Sequence, residues 1–112
     1  MAETKAHIRA KKAAAGKNGQ IEVPLPNGQR LDALRGDTAF EIERHAHPDR
    51  LKLAINRLKL SKAKNIVLQV PQKNFEKAIT AMKKAKVTGT VRNMSGSQKI
   101  KISAKPTLKK RK

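Results

Sequence analysis

The sequence predicts a mixed α/β domain: a helix, a three-stranded antiparallel meander, then helix, strand, helix and strand completing one mixed sheet. Three observations carry this reading. Apolar residues alternate with polar or small ones in short runs between Ile21 and Arg44. The period turns helical after Pro48, and a brief apolar run, Ile66 to Val70, lies between two amphipathic segments. Alternation marks half-buried strands, a 3.6-residue period marks helices, and strand–helix–strand order implies parallel neighbours with right-handed crossovers.

Thr4 to Ala15 is rich in Ala and Lys and ends at Gly16, which suits a helix with a glycine stop. Ile8 is its one large apolar residue, so its folding is expected to depend on docking. Ile21, Val23 and Leu25 alternate as a first strand, and Pro26-Asn27-Gly28 turns the chain. Arg30 to Arg35 is the second strand, Gly36-Asp37 the second turn, and Thr38 to Arg44 the third strand. In that third strand Phe40 and Ile42 share one face while Glu41 and Glu43 share the other.

Pro48 suits a first helical turn, and Leu51, Ala54, Ile55 and Leu58 follow at helical spacing, with Leu53 and Leu60 widening the apolar face. Asn65 to Val70 reads as a strand buried on both faces and ended by Pro71. Phe75, Ala78, Ile79 and Met82 mark another helix, and Val87 to Arg92 another strand, interrupted by Gly89. Ile100 and Ile102 alternate with Lys99 and Lys101, as in an edge strand before a mobile Lys-rich tail.

Charge sets the partner. Lys and Arg number 27 against 8 acids, a formal charge of +19. Such a domain repels itself unless a counter-charge is present, and nucleic-acid phosphates supply one through counterion release. Residues 1–20 carry five Lys/Arg and one acid, and residues 93–112 carry seven and none. They read as basic arms around a core spanning 21–92. No apolar run approaches a membrane span, no signal-peptide apolar region is evident, and Trp and Tyr are absent. A nucleic-acid partner, no membrane partner and a cytoplasmic setting are therefore expected. With no cysteine, the fold rests on its core alone.

The acids are clustered: Glu22, Asp32, Asp37, Glu41, Glu43 and Asp49 fall within 28 residues. Pairing across the Arg35–Thr38 turn would set Asp32 near Glu41, with Glu43 two residues on. Converging carboxylates repel unless a cation lies between them, and Mg²⁺ or Mn²⁺ is a hard cation suited to carboxylates and phosphate. A solvated strand face neutralised by Arg30 or Arg44 fits the same spacing. Glu43, His45 and His47 could offer zinc or manganese ligands, but zinc wants three or four at set geometry, so histidines without a metal are expected. Serines lack a neighbouring base and an elbow motif, and Gly16-Lys17-Asn18-Gly19 lacks the spacing of a phosphate loop.

The run Arg30-Leu31-Asp32-Ala33-Leu34, a tight turn, then Ala39-Phe40-Glu41-Ile42-Glu43 and an amphipathic helix resembles the core of PD-(D/E)XK nuclease-like domains over roughly residues 4–70. The resemblance implies a restriction-endonuclease-like fold and a small endonuclease hydrolysing phosphodiesters. Asp32 and Glu41 would hold Mg²⁺ or Mn²⁺, and Glu43 would stand where a lysine is usual. Lys52 or Arg50 would then supply the missing positive charge, and a homodimer would make the two cuts that a duplex needs. Loss of that lysine equally fits a binding-only descendant, structural or ribosome-associated. DNA is expected over RNA. Phosphate contacts are expected from Arg9, Lys11, Lys12, Arg30, Arg44, Arg50, Arg57, Lys59, Lys109, Lys110 and Arg111, since with two phenylalanines and no other aromatics base stacking has little to work with.

Overall fold

A computed structural model describes residues 4–103. The order is α1 (Lys5–Ala15), β1 (Gln20–Pro24), β2 (Arg30–Arg35), β3 (Thr38–Ile42), α2 (Pro48–Leu60), β4 (Asn65–Val70), α3 (Phe75–Ala85), β5 (Gly89–Asn93) and β6 (Lys99–Ile102). A 3₁₀ turn at Gln72–Asn74 leads into α3. The strands form one six-stranded sheet in sequence order, β1 to β6. β3, β4 and β5 run parallel, and the flanking pairs β1–β2, β2–β3 and β5–β6 are antiparallel. The mixed α/β class read from the sequence therefore holds.

Local chemistry sets the boundaries. The Thr4 hydroxyl caps α1 by accepting from the His7 N–H, and Gly16 closes it with a positive φ. Gly19 has a steric reason to lack a side chain. A Cβ there would lie 2.1 Å from the Ala15 carbonyl oxygen and 2.6 Å from that of Leu34. Pro48 begins α2, and the His47 Nδ1 atom caps it by accepting from the Asp49 N–H. β3 stops at Ile42, two residues short of the expected end, and β5 starts at Gly89 rather than Val87. A Cβ on Gly89 would strike Ile66 on the neighbouring strand, so glycine opens this strand instead of interrupting it.

The core has two parts, one on each side of the sheet. On one side Leu51, Ala54, Ile55 and Leu58 of α2 and Ala78, Ile79 and Met82 of α3 pack against Leu31, Ala39, Ile66, Leu68, Val70, Val91 and Ile102. Leu53 does not join them: it is 46% exposed, on the outer side of α2. On the other side Ala14 and Ala15 of α1 meet Ala33, Phe40 and Val67. α1 packs on β1, β2 and β3. On the other side of residue 92, β6 adds a strand to the same sheet.

Alternation breaks at one point in the first hairpin. Ile21 and Ala33 face α1, whereas Val23 and Leu31, also two residues along, join the α2 side. Strict alternation would keep each pair on one face. The residues between them are Glu22, which adopts φ 52°, and Asp32. This kink shapes the acidic site.

Candidate functional site

The β2–β3 register runs Arg35↔Thr38, Leu34↔Ala39 and Ala33↔Phe40, and ends one residue short of Asp32 and Glu41. There side chains take over from the backbone ladder. Glu41 Oε2 accepts from the Asp32 N–H at 2.8 Å, and Asp32 Oδ2 accepts from the Ile42 N–H at 2.8 Å. Each carboxylate therefore stands in for a carbonyl of the other strand. Meanwhile β3 stays in register with β4 as far as Ile42↔Gln69.

Two cations close the site. Lys11 of α1, only 4% exposed, sets its Nζ 3.6 Å from Asp32 Oδ1 and 3.5 Å from Glu22 Oε2. From the other side Arg57 of α2 donates through Nε to Glu41 Oε1 at 2.9 Å. His7 Nε2 lies 3.7 Å from Asp32 Oδ1. Glu41 is 1% exposed. Burial, then the charge of Asp32, pushes its carboxyl from the usual 4.5 up to about 7, while Arg57 draws it down.

Glu43 does not complete a triad. Just past β3 the Glu43 N–H still donates to the Gln69 carbonyl at 2.9 Å, and Glu43 Oε2 accepts from the His45 backbone N–H at 3.0 Å. Lys52 does not approach either acid. It lies five residues before Arg57, about 140° around the helix, and lines a groove of about 660 Å³ between α2 and α3 with Glu76, Lys77 and Lys84. His47 is occupied in capping α2. Among the described residues no group of three or more His, Asp or Glu side chains is arranged to hold a metal ion.

A hard cation at Asp32 and Glu41 would need free carboxylate oxygens and water-filled positions. Three of the four oxygens accept short hydrogen bonds from N–H groups, and the fourth faces Lys11 and His7. The donor set as folded does not fit Mg²⁺ or Mn²⁺.

No family model, curated protein or solved structure matches this chain.

The residues expected to meet phosphate divide in the same way. Lys11 and Arg57 are turned inward onto acids, and Arg30 lies 3.4 Å from Glu22. The half-buried Arg44 donates to the Ala6 carbonyl at 3.4 Å, tying the end of β3 to α1. Arg9, Lys12, Arg50 and Lys59 are exposed. Lys109, Lys110 and Arg111 lie outside the described residues.

A further cationic group was not singled out in the sequence. Ile102 packs in the α2-side core, so Lys99 and Lys101 face the α1 side; Val91 likewise sets Arg92 there, beside Lys99 in the register. Arg35, at the end of β2, and Arg92 both lie over the Phe40 ring, with Cζ 5.4 and 5.9 Å from its centroid. Only the alternation of Lys99 and Lys101 with isoleucine hinted at this group. Nothing local marks Arg35 and Arg92, whose strands lie more than 50 residues apart.

Proposed function

We propose that this chain is a non-catalytic, structural nucleic-acid-binding protein that grips the phosphate backbone. The observation that carries the reading is the closure of the acidic site. Asp32 and Glu41 are bracketed by each other's backbone and sealed by Lys11 and Arg57, so the acids are used internally and the outer surface is left strongly cationic. Binding of this kind is driven by counterion release and depends steeply on salt.

A binding-only descendant of the PD-(D/E)XK fold that the sequence resembles would have its acids closed in this way. One observation favours the endonuclease reading instead: Asp32 and Glu41 meet, the Glu41 carboxylate accepting from the Asp32 N–H at 2.8 Å.

The test uses the full chain with linear, branched and supercoiled DNA, and with RNA, in Mg²⁺ or Mn²⁺. Salt-sensitive binding without cleavage, retained in Asp32→Asn and Glu41→Gln, is the expected result. Metal-dependent cutting abolished by both substitutions would replace this reading with the endonuclease.

A further inference from the structure

The α1 side of the sheet is covered over β1 to β3, while α2 and α3 pack on the opposite side. Beyond α1, the surface around Phe40 and Val67 is built from Arg35, Gln69, Arg92, Lys99 and Lys101. Two guanidiniums share one aromatic ring there, which holds each by its π-face. The arrangement leaves their N–H edges unused: neither arginine makes an ion pair or hydrogen bond with a described residue. The Arg92 Nε atom is buried without a partner, as is Oε1 of Gln69 on the adjacent strand.

Like charges gathered within 5.9 Å of one ring centroid repel. Burial, then the charge of Arg35, holds the Arg92 guanidinium below its usual range. Elsewhere the fold does pair cations with acids when it encloses them, as with Lys11 and Arg57. Here it brings two half-open guanidiniums together with no acid in reach among the described residues, and Lys99 next to one of them.

We infer that Arg35 and Arg92, supported by Lys99, form a seat for a phosphate group on the α1 side of the sheet. This rests on the nucleic-acid-binding reading as far as the source of the phosphate is concerned. A phosphate group held by the guanidiniums offers acceptor oxygens to their N–H edges and offsets their mutual repulsion. Planar guanidinium forks suit that geometry better than ammonium groups. Phe40 packs beneath both groups before binding, which limits the side-chain ordering left for that step. The seat belongs to backbone contact, not base readout, because its groups are donors and cations.

The experiment measures binding of a labelled duplex of about 20 base pairs by fluorescence anisotropy between about 50 and 300 mM KCl. It compares wild type, Arg35→Ala/Arg92→Ala, Arg92→Lys and Lys77→Ala. In parallel, arginine side-chain resonances are followed by NMR as duplex or inorganic phosphate is added. The double variant is expected to bind about tenfold more weakly, with a salt slope reduced by about one. Arg92→Lys keeps the charge and the stem but loses the fork; it is expected to bind about threefold more weakly at unchanged slope. Lys77→Ala, on α3, removes charge from the other side of the sheet and serves as the measure of a general charge effect.

If wild type binds duplex but the double variant behaves like Lys77→Ala, the seat is overturned and the binding reading stands. If wild type binds no nucleic acid while inorganic phosphate shifts Arg35 and Arg92, the seat stands for free phosphate and the binding reading falls. If the double variant does not fold, Arg92→Lys decides, and affinity equal to wild type overturns the seat.

Discussion

Lys11 illustrates how one residue can serve opposite ends in sequence and in structure. In sequence it is one lysine among many in an amino-terminal segment. In the fold it is the buried counter-ion of Asp32 and Glu22. Deleting one partner of a buried pair leaves an uncompensated charge, so Lys11→Met should cost about 3 kcal/mol in urea unfolding, whereas the exposed Lys59→Ala should stay within about 0.5 kcal/mol. Glu41 carries a pH signature. Because its carboxyl titrates at about 7 in the fold against 4.5 ordinarily, the folded state holds an extra proton between those values. Its contribution to stability is therefore full below about 4.5, falls as pH rises through about 7, and is flat above. Urea midpoints from pH 4.5 to 8 should show this decline, and Glu41→Gln should remove it. Arg57→Leu should extend it to higher pH, since Arg57 is what draws the Glu41 carboxyl down.

At the level of elements, the period of the apolar residues was sufficient for most of the fold. β2 and β4 begin and end where alternation and the buried run put them, and α2 begins at Pro48. What local pattern could not convey was curvature and partnership. The kink at Glu22 and Asp32 moves Val23 and Leu31 across the sheet, and it ends the β2–β3 ladder at the rung where the two acids meet. That Asp32 would come near Glu41 was legible from the tight turn alone. That Glu43 would instead bond the His45 N–H is a local detail, whereas the arrival of Lys11 and Arg57 from two helices depends on contacts distant in sequence. The α1–β1 connection offers a sharp check on this packing. Gly19→Ala places a methyl inside the Ala15 and Leu34 carbonyls, so the helix must lift from the sheet. A loss of about 2 kcal/mol or more in thermal or urea unfolding is expected, well above the usual effect of adding one methyl at an open surface position.

For the whole molecule, charge and compactness oppose each other. A formal charge of +19 is confined to 112 residues, and the described fold has a Cα radius of gyration of 13.8 Å. Most of these charges therefore lie within two or three Debye lengths of one another at about 0.1 M salt, where that length is about 10 Å. Salt acts on the fold in two directions. It weakens the exposed pair Arg30–Glu22, which contributes little to begin with, and it screens the net repulsion among the remaining cations. The buried pairs of Lys11 and Arg57 are screened far less. Repulsion among so many cations outweighs exposed pairs of this kind, so the melting temperature should rise between about 20 mM and 0.5 M NaCl, the reverse of what a fold held by surface ion pairs would give. Sulfate at equal ionic strength should raise it further than chloride, because a divalent oxyanion also binds the Arg35–Arg92 surface and stabilises by mass action. Excluded-ion effects of sulfate act on wild type and Arg35→Ala/Arg92→Ala alike. The sulfate increment lost in the double variant therefore isolates binding at that surface, while the chloride increment should persist at slightly reduced size, since two of the repelling charges are gone.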